Sequence, residues 1–289
     1  SLLTMSSFTE KLDAEAVAFF NAVCQKPFSE QAVHFLNAYW HEIGNQSEFI
    51  FTVAWDLAKK ADMKAKNIQY VHLYEEGNDF DFNFGLYFYE QLCKFVEDEK
   101  NEKWVKEYAS SQPEMMTAIK RKQELREKVD VNFDGRVSFL EYLLYQYREY
   151  ANPADFCVRS MSAPDEHPEI KKARLALQEV SKRIREYEAE KARLTEESEL
   201  PGVKGLAAKN LLAQLASSPV AERLNQALIT AEAAVRIASK KFGGGKVIVD
   251  GAAPAPGEHR SELPTDGAIW WMNRDLEEKK KRYGPKAKA

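Results

Sequence analysis

Residues 130–141 read DVNFDGRVSFLE, and this short stretch limits the possible folds of the chain strongly. An EF-hand calcium loop needs oxygen ligands at positions 1, 3, 5, 7, 9 and 12, and a glycine at position 6 for the sharp turn. Gly135 fills position 6. The six ligand positions fall on Asp130, Asn132, Asp134, Arg136, Ser138 and Glu141, with Arg136 contributing only its backbone carbonyl. The loop therefore predicts a reversible Ca²⁺ site between two helices.

A second, weaker loop precedes it at 79–90, with the sequence DFDFNFGLYFYE. Its glycine falls at position 7, and Phe84 occupies the position of the tight turn. We predict a degenerate EF-hand that pairs with the first loop through position 8, where Leu86 stands. The pattern leaves calcium binding by this loop open. Its candidate ligands are Asp79, Asp81, Asn83, Gly85 and Glu90.

The rest of the chain also has a helical pattern. Apolar residues recur every three or four positions, the helical period, over 12–23, 29–44, 49–63 and 84–98. Ser111 and Glu114 resemble a capping box, which predicts a helix from there to Val129. The helix after the calcium loop should stop at Asn152-Pro153. A short strand is predicted over 67–74.

Residues 169–197 carry an apolar stripe with alternating three- and four-residue spacing, which is typical of coiled coils. The segment 200–205 (LPGVKG) breaks this helix, and two further helices are predicted over 206–216 and 219–241. Short connections favour antiparallel neighbours, so we interpret 168–242 as a helical hairpin. Homodimerisation through the stripe is the alternative.

The predicted fold is mainly α, with four regions. An EF-hand-containing helical domain occupies 1–160, and a coiled-coil-like helical hairpin follows at 161–242. The glycine- and proline-rich stretch 243–268 is predicted to be a flexible linker. A basic, tryptophan-containing tail, 269–289, ends the sequence.

Composition narrows the class of protein. The chain is 44% hydrophobic and 30% charged, which fits a soluble protein with a core. It has no run of 18 apolar residues, no secretory pattern and three scattered cysteines, so we expect a cytoplasmic protein without a membrane span. HExxH, GxGxxG, GxxxxGK[ST] and GxSxG are absent, which argues against an enzyme. We expect no nucleic-acid partner.

Charge is distributed unevenly along the chain. The net formal charge is −9 over 1–165, +3 over 166–241 and +2 over 242–289. The basic regions suit an acidic partner surface. The two tryptophans of the tail could anchor a partner or fold back on the chain. The candidate partner-binding residues are Lys204, Lys209, Lys240, Lys241, Trp270, Trp271, Lys279, Lys280, Lys281 and Arg282.

Long segments outside the calcium loop carry a specific resemblance. They include QAVHFLNAYW, LYFYEQLCKF, NPADFC, DEHPEIKKARLAL and PGVKGL. Over about residues 8–242 the chain resembles the calcium-regulated actin-bundling proteins of slime-mould-type amoebae. The resemblance implies a protein of the cytoplasmic actin cytoskeleton that cross-links actin filaments, as a monomer or weak dimer, and whose bundling calcium weakens. The alternative is an EF-hand adaptor that binds a non-actin helical partner.

Overall fold

The computed structural model describes residues 12–163, 165–242 and 265–284. The mainly-α prediction is confirmed. One antiparallel pair of short strands, β1 (Asp79–Asp81) and β2 (Arg136–Ser138), is present in these residues. The helices are α1 (Ala14–Cys24), α2 (Phe28–Ile43), α3 (Ser47–Phe49), α4 (Asp56–Ala65), α5 (Phe82–Glu97), α6 (Glu102–Glu107), α7 (Ala118–Glu124), α8 (Phe139–Gln146), α9 (Pro153–Met161), α10 (Pro168–Ser198), α11 (Val203–Ala213), α12 (Pro219–Phe242) and α13 (Asp266–Tyr283).

Two π-helical turns continue these helices. Ile50–Trp55 joins α3 to α4, and Leu125–Val129 extends α7 up to the calcium loop. No helix in the described residues is both long and apolar enough to cross a membrane.

The chain forms two compact units. The first contains the described residues of 1–67, 75–165 and 247–268, and the second those of 68–74, 166–246 and 269–289. The hairpin segment of the second unit begins at Glu166, five residues after the predicted boundary at 161. The reason is that α9 continues to Met161 and packs on α1 and α2 within the first unit.

Aromatic side chains form the core of the first unit, between the helices that flank the strands. Phe80 on β1 stacks on Phe28 with ring centroids 5.0 Å apart, and it lies 5.7 Å from Phe88 on α5. Phe88 in turn meets Tyr142 on α8 edge-to-face at 4.9 Å. Aromatic pairs in these geometries stabilise a core beyond the area that they bury. The core therefore joins β1, α5 and α8 around the strand pair.

The second unit is built on an antiparallel hairpin of α10 and α12. His167, at the start of α10, contacts Phe242 at the end of α12, with ring centroids 4.3 Å apart. The apolar stripe predicted on α10 faces into this unit rather than to solvent. Its buried members are Ile170, Ala173, Leu177, Val180, Ile184 and Leu194. These residues are buried within a single chain. The structure therefore contains the predicted hairpin, and the stripe is not left exposed for homodimerisation.

Part of α13 completes the second unit. Asn273 donates a hydrogen bond to Ser239 on α12 at 2.8 Å, and Lys280 pairs with Glu232 on α12 at 2.7 Å. Tyr283 lies edge-on to Tyr187 on α10. Residues 269–283 therefore pack along both helices of the hairpin.

Two local predictions are wrong. Residues 67–74 are not a strand: Val71–Leu73 form a 3₁₀ turn that packs on α10 within the second unit. Ser111 caps no helix, because its hydroxyl is used in the core, where it bonds Gln46 and Tyr147 at 2.7 Å each. Thr117 instead caps α7, which begins seven residues later than Ser111.

Two predicted boundaries also differ. The helix after the calcium loop ends at Gln146, and Asn152 starts the next helix by accepting the backbone N–H of Asp155 at 3.0 Å. Pro153 takes the first helical position, where its missing N–H has no cost. The predicted linker lies mostly outside the described residues, but its end is helical, since α13 starts at Asp266.

Candidate calcium site

The calcium loop is tied to its neighbour through the strand pair. Val137 stands opposite Phe80 in an antiparallel register, flanked by Asp79 opposite Ser138 and Asp81 opposite Arg136. Both Phe80 and Val137 are buried. The two loop segments therefore share one small sheet whose centre belongs to the aromatic core.

The turn inside the loop has the backbone that an EF-hand requires. Gly135 has φ +81°, a conformation that glycine adopts without steric cost. Phe133, at position 4, also has positive φ, +56°, and its ring is 51% exposed. A bulky residue in this region is strained. The loop thus folds tightly at the position where the sequence placed the glycine.

The end carboxylates of the loop are buried and bonded to its own backbone. Asp130 accepts the N–H groups of Asp134 and Gly135 at 3.2 and 3.0 Å. Glu141 accepts the N–H groups of Val131 and Ser138 at 3.0 and 2.8 Å. Burial raises the pKa of Asp130 and, more strongly, that of Glu141, to about 8. Both groups are therefore carboxyl groups that the fold removes from water.

This set of groups fits a hard cation. The loop brings three carboxylates, one amide, one hydroxyl and one carbonyl to the six ligand positions, and oxygen ligands are what Ca²⁺ takes. Among the described residues no three acidic, histidine or cysteine side chains are already gathered as a metal cluster. A bound cation would offset the burial that raises the pKa of these two carboxyl groups.

The predicted register of the second loop is wrong. Phe80, not Leu86, stands opposite Val137, and α5 begins at Phe82. Asn83, Gly85 and Glu90 are therefore helical and cannot surround an ion with Asp79 and Asp81. Asp81 instead caps α5, accepting the N–H groups of residues 83 and 84 at 2.8 and 2.9 Å.

In the observed register, position 8 of the second loop is Phe80 and position 12 is Phe84. Position 1 then falls on Leu73. Neither end of the loop has a side-chain oxygen, so the ligand set of an EF-hand is missing. The sequence match at 79–90 failed because acidic residues that cap a helix resemble those that bind calcium.

Residues 75–81, which we call the partner segment, are held by protein groups from outside. The Glu76 carboxylate accepts the N–H and hydroxyl of Ser29 at 3.2 and 2.6 Å, and the indole N–H of Trp55. Burial raises the pKa of Glu76 in spite of these hydrogen bonds. Asp62 accepts the N–H of Gly77 at 3.0 Å. Hydrogen bonds to α2 and α4 thus fix the partner segment.

Gln31, on α2, bonds to both loops and was not singled out by the sequence. Its Nε2 donates to the carbonyl of Asn78 in the partner segment at 2.7 Å. Its Oε1 accepts the N–H of Leu140, at the start of the helix that leaves the calcium loop, at 2.7 Å. The side chain is fully buried. One amide therefore connects the two loop segments through the core.

The basic candidates differ in their surroundings. Lys204, Lys209, Lys240 and Lys241 are exposed, and no carboxylate of the described residues pairs with them. Lys279 is partly buried beside Asp275, and Arg282 pairs with Glu278 at 3.0 Å. Lys280 is engaged by α12 as described above, whereas Lys281 is exposed. The lysines of the hairpin are thus freer to meet a partner than most of those of α13.

The two tryptophans of the tail are not exposed, as the hypothesis of a partner anchor would require. Trp271 is buried at 5% exposure, together with Ile269, Met272 and Leu276, and Trp270 is half-buried. Burying these apolar residues fastens the helix to the protein. In the structure, α13 folds back on the chain, as the second hypothesis for the tail predicted.

The fold and the site define a helical protein with an EF-hand-like pair of loops, of which one has the candidate calcium ligands, and a basic helical hairpin. The family model "F actin bundling C terminal" matches residues 136–254. The chain is 67% identical, over 98% of its length and 93% of the relative's, to a calcium-regulated actin-bundling protein of Dictyostelium discoideum.

A solved structure gives the same result. The crystal structure of the 34 kDa F-actin bundling protein from Dictyostelium discoideum matches with a TM-score of 0.87 and 65% identity. The match covers 96% of this chain and all of that one. The chain belongs to the family of calcium-regulated actin-bundling proteins, which confirms the resemblance found in the sequence.

Proposed function

We propose that this chain cross-links actin filaments into bundles and that calcium at the 130–141 loop weakens the bundling. The observation that carries the proposal is 67% identity, over nearly the whole chain, to a calcium-regulated actin-bundling protein. The activity is binding rather than catalysis, and its place in the cell is the cytoplasmic actin cytoskeleton.

The filament contact lies on the hairpin unit. Actin filaments are strongly acidic, and the exposed lysines of this unit supply the opposite charge. Around Lys204 and Lys209 the surface is also apolar, because Val203 and Leu206 are 86% and 63% exposed. Exposed apolar side chains beside unpaired cations are typical of a protein-binding surface. Bundling needs two such contacts per particle, which a monomer with a second site or a weak dimer would supply.

Calcium acts through Glu141. In the structure, this carboxylate accepts the N–H of Ser138 in a capping box at the start of α8 and the N–H of Val131 inside the loop. To serve as a bidentate ligand, Glu141 has to turn both oxygens toward the ion, which alters the geometry of these hydrogen bonds. The altered geometry changes how α8 is held at its first turn. A state of the protein with this altered α8 is the one that calcium would favour.

Low-speed sedimentation of actin filaments with the chain, at low and at high calcium, tests both parts of the proposal. We expect bundles at low calcium and fewer at high calcium, with Glu141→Gln bundling equally at both. Pelleting of no actin at either calcium level would reject bundling and favour the adaptor alternative. Bundling that calcium leaves unchanged in the wild-type chain would reject only the regulation.

Charge reversal tests the filament surface. The double variant Lys204→Glu/Lys209→Glu should weaken filament binding in high-speed sedimentation by about tenfold, because it replaces attraction by repulsion at an acidic partner. Lys103→Glu/Lys106→Glu is the matched control, since these lysines are exposed on α6 of the acidic first unit. Equal loss in both variants would mean that only net charge matters and that the hairpin surface is not the contact.

A further inference from the structure

Helix α1, which lies outside the EF-hand, touches the calcium loop at two of its ligand positions. The amide Nδ2 of Asn132, at position 3, donates to Oδ1 of Asn21 at 3.0 Å. The hydroxyl of Ser138, at position 9, lies 3.3 Å from the sulfur of Cys24. Asn21 and Cys24 are three residues apart and therefore share one face of α1. One turn of this helix thus contacts the loop from the side.

The orientation of the Asn132 amide follows from its other partners. The backbone N–H of Asp134 donates to its Oδ1 at 3.2 Å, and its Nδ2 donates to the carboxylate of Asp134 at 3.1 Å. A backbone N–H can only donate and an ionised carboxylate can only accept, so the amide cannot be turned over. Asn21 must then present its oxygen to Asn132. The ligand oxygen of Asn132 is kept on the loop side, and its nitrogen faces α1.

We propose that Asn21 is a positioning residue of the calcium site, which holds the amide of Asn132 so that its oxygen is ready to bind the ion. The inference rests on the proposed calcium site and extends it to a helix that the loop pattern does not include. A neutral amide ligand lacks the charge attraction of an aspartate, so its affinity depends more on being held in place. Outer partners of this kind orient metal ligands in many proteins.

The contact between Asn21 and Asn132 also couples calcium binding to the position of α1. If Asn21 favours the calcium-binding orientation of Asn132, calcium must in turn stabilise the contact between α1 and the loop, because coupling is reciprocal. Helix α1 also packs against α9 in the first unit. The occupied loop would therefore hold α1 more firmly than the empty one.

Calcium titration of the full chain by isothermal calorimetry tests the proposal. Asn21→Ala should weaken calcium binding by about tenfold, the lower end of the effect of removing an outer partner of a metal ligand. Asn21→Asp keeps an acceptor of the same size and should restore affinity to within about threefold of the wild type. Gln25→Ala is the matched control, because Gln25 follows α1 and accepts from Asn78 of the partner segment at 3.0 Å.

Four outcomes separate the possibilities. Weakened binding in Asn21→Ala, with rescue in Asn21→Asp and unchanged binding in Gln25→Ala, supports the positioning role. Wild-type affinity in Asn21→Ala, or the same loss in Gln25→Ala, overturns it while leaving the calcium site intact. A wild-type chain that binds no calcium overturns the site and this inference together. Hydrogen exchange gives a second measurement: calcium should slow exchange of the α1 amides in the wild type but not in Asn21→Ala, and equal slowing in both contradicts the coupling.

Discussion

The calcium loop and the partner segment form one strand pair, yet they are held in place by different means. In the calcium loop, the carboxylates of Asp130 and Glu141 accept N–H groups of the loop itself. In the partner segment, Glu76 and Asn78 bond to groups on or near α2. The first loop keeps its oxygens within reach of an ion, while the second is fixed by the protein around it.

This difference shows that the pairing of EF-hand loops and the binding of metal are separable. Pairing needs a strand register and two buried residues, which Phe80 and Val137 supply. Metal binding needs oxygens at spaced positions, and of these two loops the 130–141 loop is the one that has them. A loop that has lost its ligands can therefore remain as the structural half of the pair, provided that other hydrogen bonds replace the metal.

The largest expected effect is a loss of stability when the partner segment is changed. Phe80→Ala removes a buried ring from between Phe28 and Phe88 and should lower the free energy of unfolding by about 3–5 kcal/mol. Urea unfolding measures it. The control is Phe82→Ala, two residues on and half-buried, where a clearly smaller loss is expected. Equal losses at both positions would mean that the centre of the strand pair is not a special packing site.

The next largest effect is on the calcium affinity of the 130–141 loop. Glu141→Gln removes a charged bidentate ligand and should weaken calcium binding by about 100-fold. Calorimetry of the wild type should also give one calcium per chain. Glu90→Gln, which alters the closing residue of the loop predicted at 79–90, should leave binding unchanged because Glu90 lies exposed on α5. Binding of a second calcium that is lost in Glu90→Gln would instead support the predicted loop at 79–90, with Leu86 at position 8.

A smaller effect tests the strain in the calcium loop. Phe133 has φ +56°, and Phe133→Asn should raise the free energy of unfolding by about 0.5–1 kcal/mol, since asparagine tolerates this region better. Asn67, at the end of α4, already has φ +53° and supplies the reverse experiment. Asn67→Phe should cost a similar amount in the same thermal or urea assay. If Asn67→Phe lowers the free energy of unfolding but Phe133→Asn does not raise it, packing of the Phe133 ring offsets its backbone strain.

The smallest effect is expected at the ion pair between the two strands. Arg136 pairs with Asp79, and its side chain is half exposed. Arg136→Met should change the free energy of unfolding by no more than about 0.5 kcal/mol, because Arg136 is half exposed and the mostly buried Asp79 keeps the hydrogen bond from Asn78 at 3.1 Å. Calcium affinity should stay within about twofold, since residue 136 contributes a backbone carbonyl. A large loss of affinity would mean that this side chain, not the backbone, matters at position 7.

Local patterns in the sequence were enough to predict the helices and the calcium loop. The helical period is read within a few turns, and the ligands of the loop lie within twelve residues, so both signals are short-range. The second loop was predicted at the wrong register because its acidic residues serve as a helix cap and as strand residues. The spacing alone cannot distinguish these roles.

Contacts between distant residues were decided only by the tertiary structure. Ser111 looked like a helix cap, but its hydroxyl bonds Tyr147, and the strand predicted over 67–74 packs instead on α10. Gln31 reaches Leu140, and Asn21 reaches Asn132, across more than a hundred residues of chain. A side chain's partner depends on which elements the core brings together. The sequence by itself determined which segments are helical and which residues are candidates to bind calcium, whereas packing determined which side chains hold each loop.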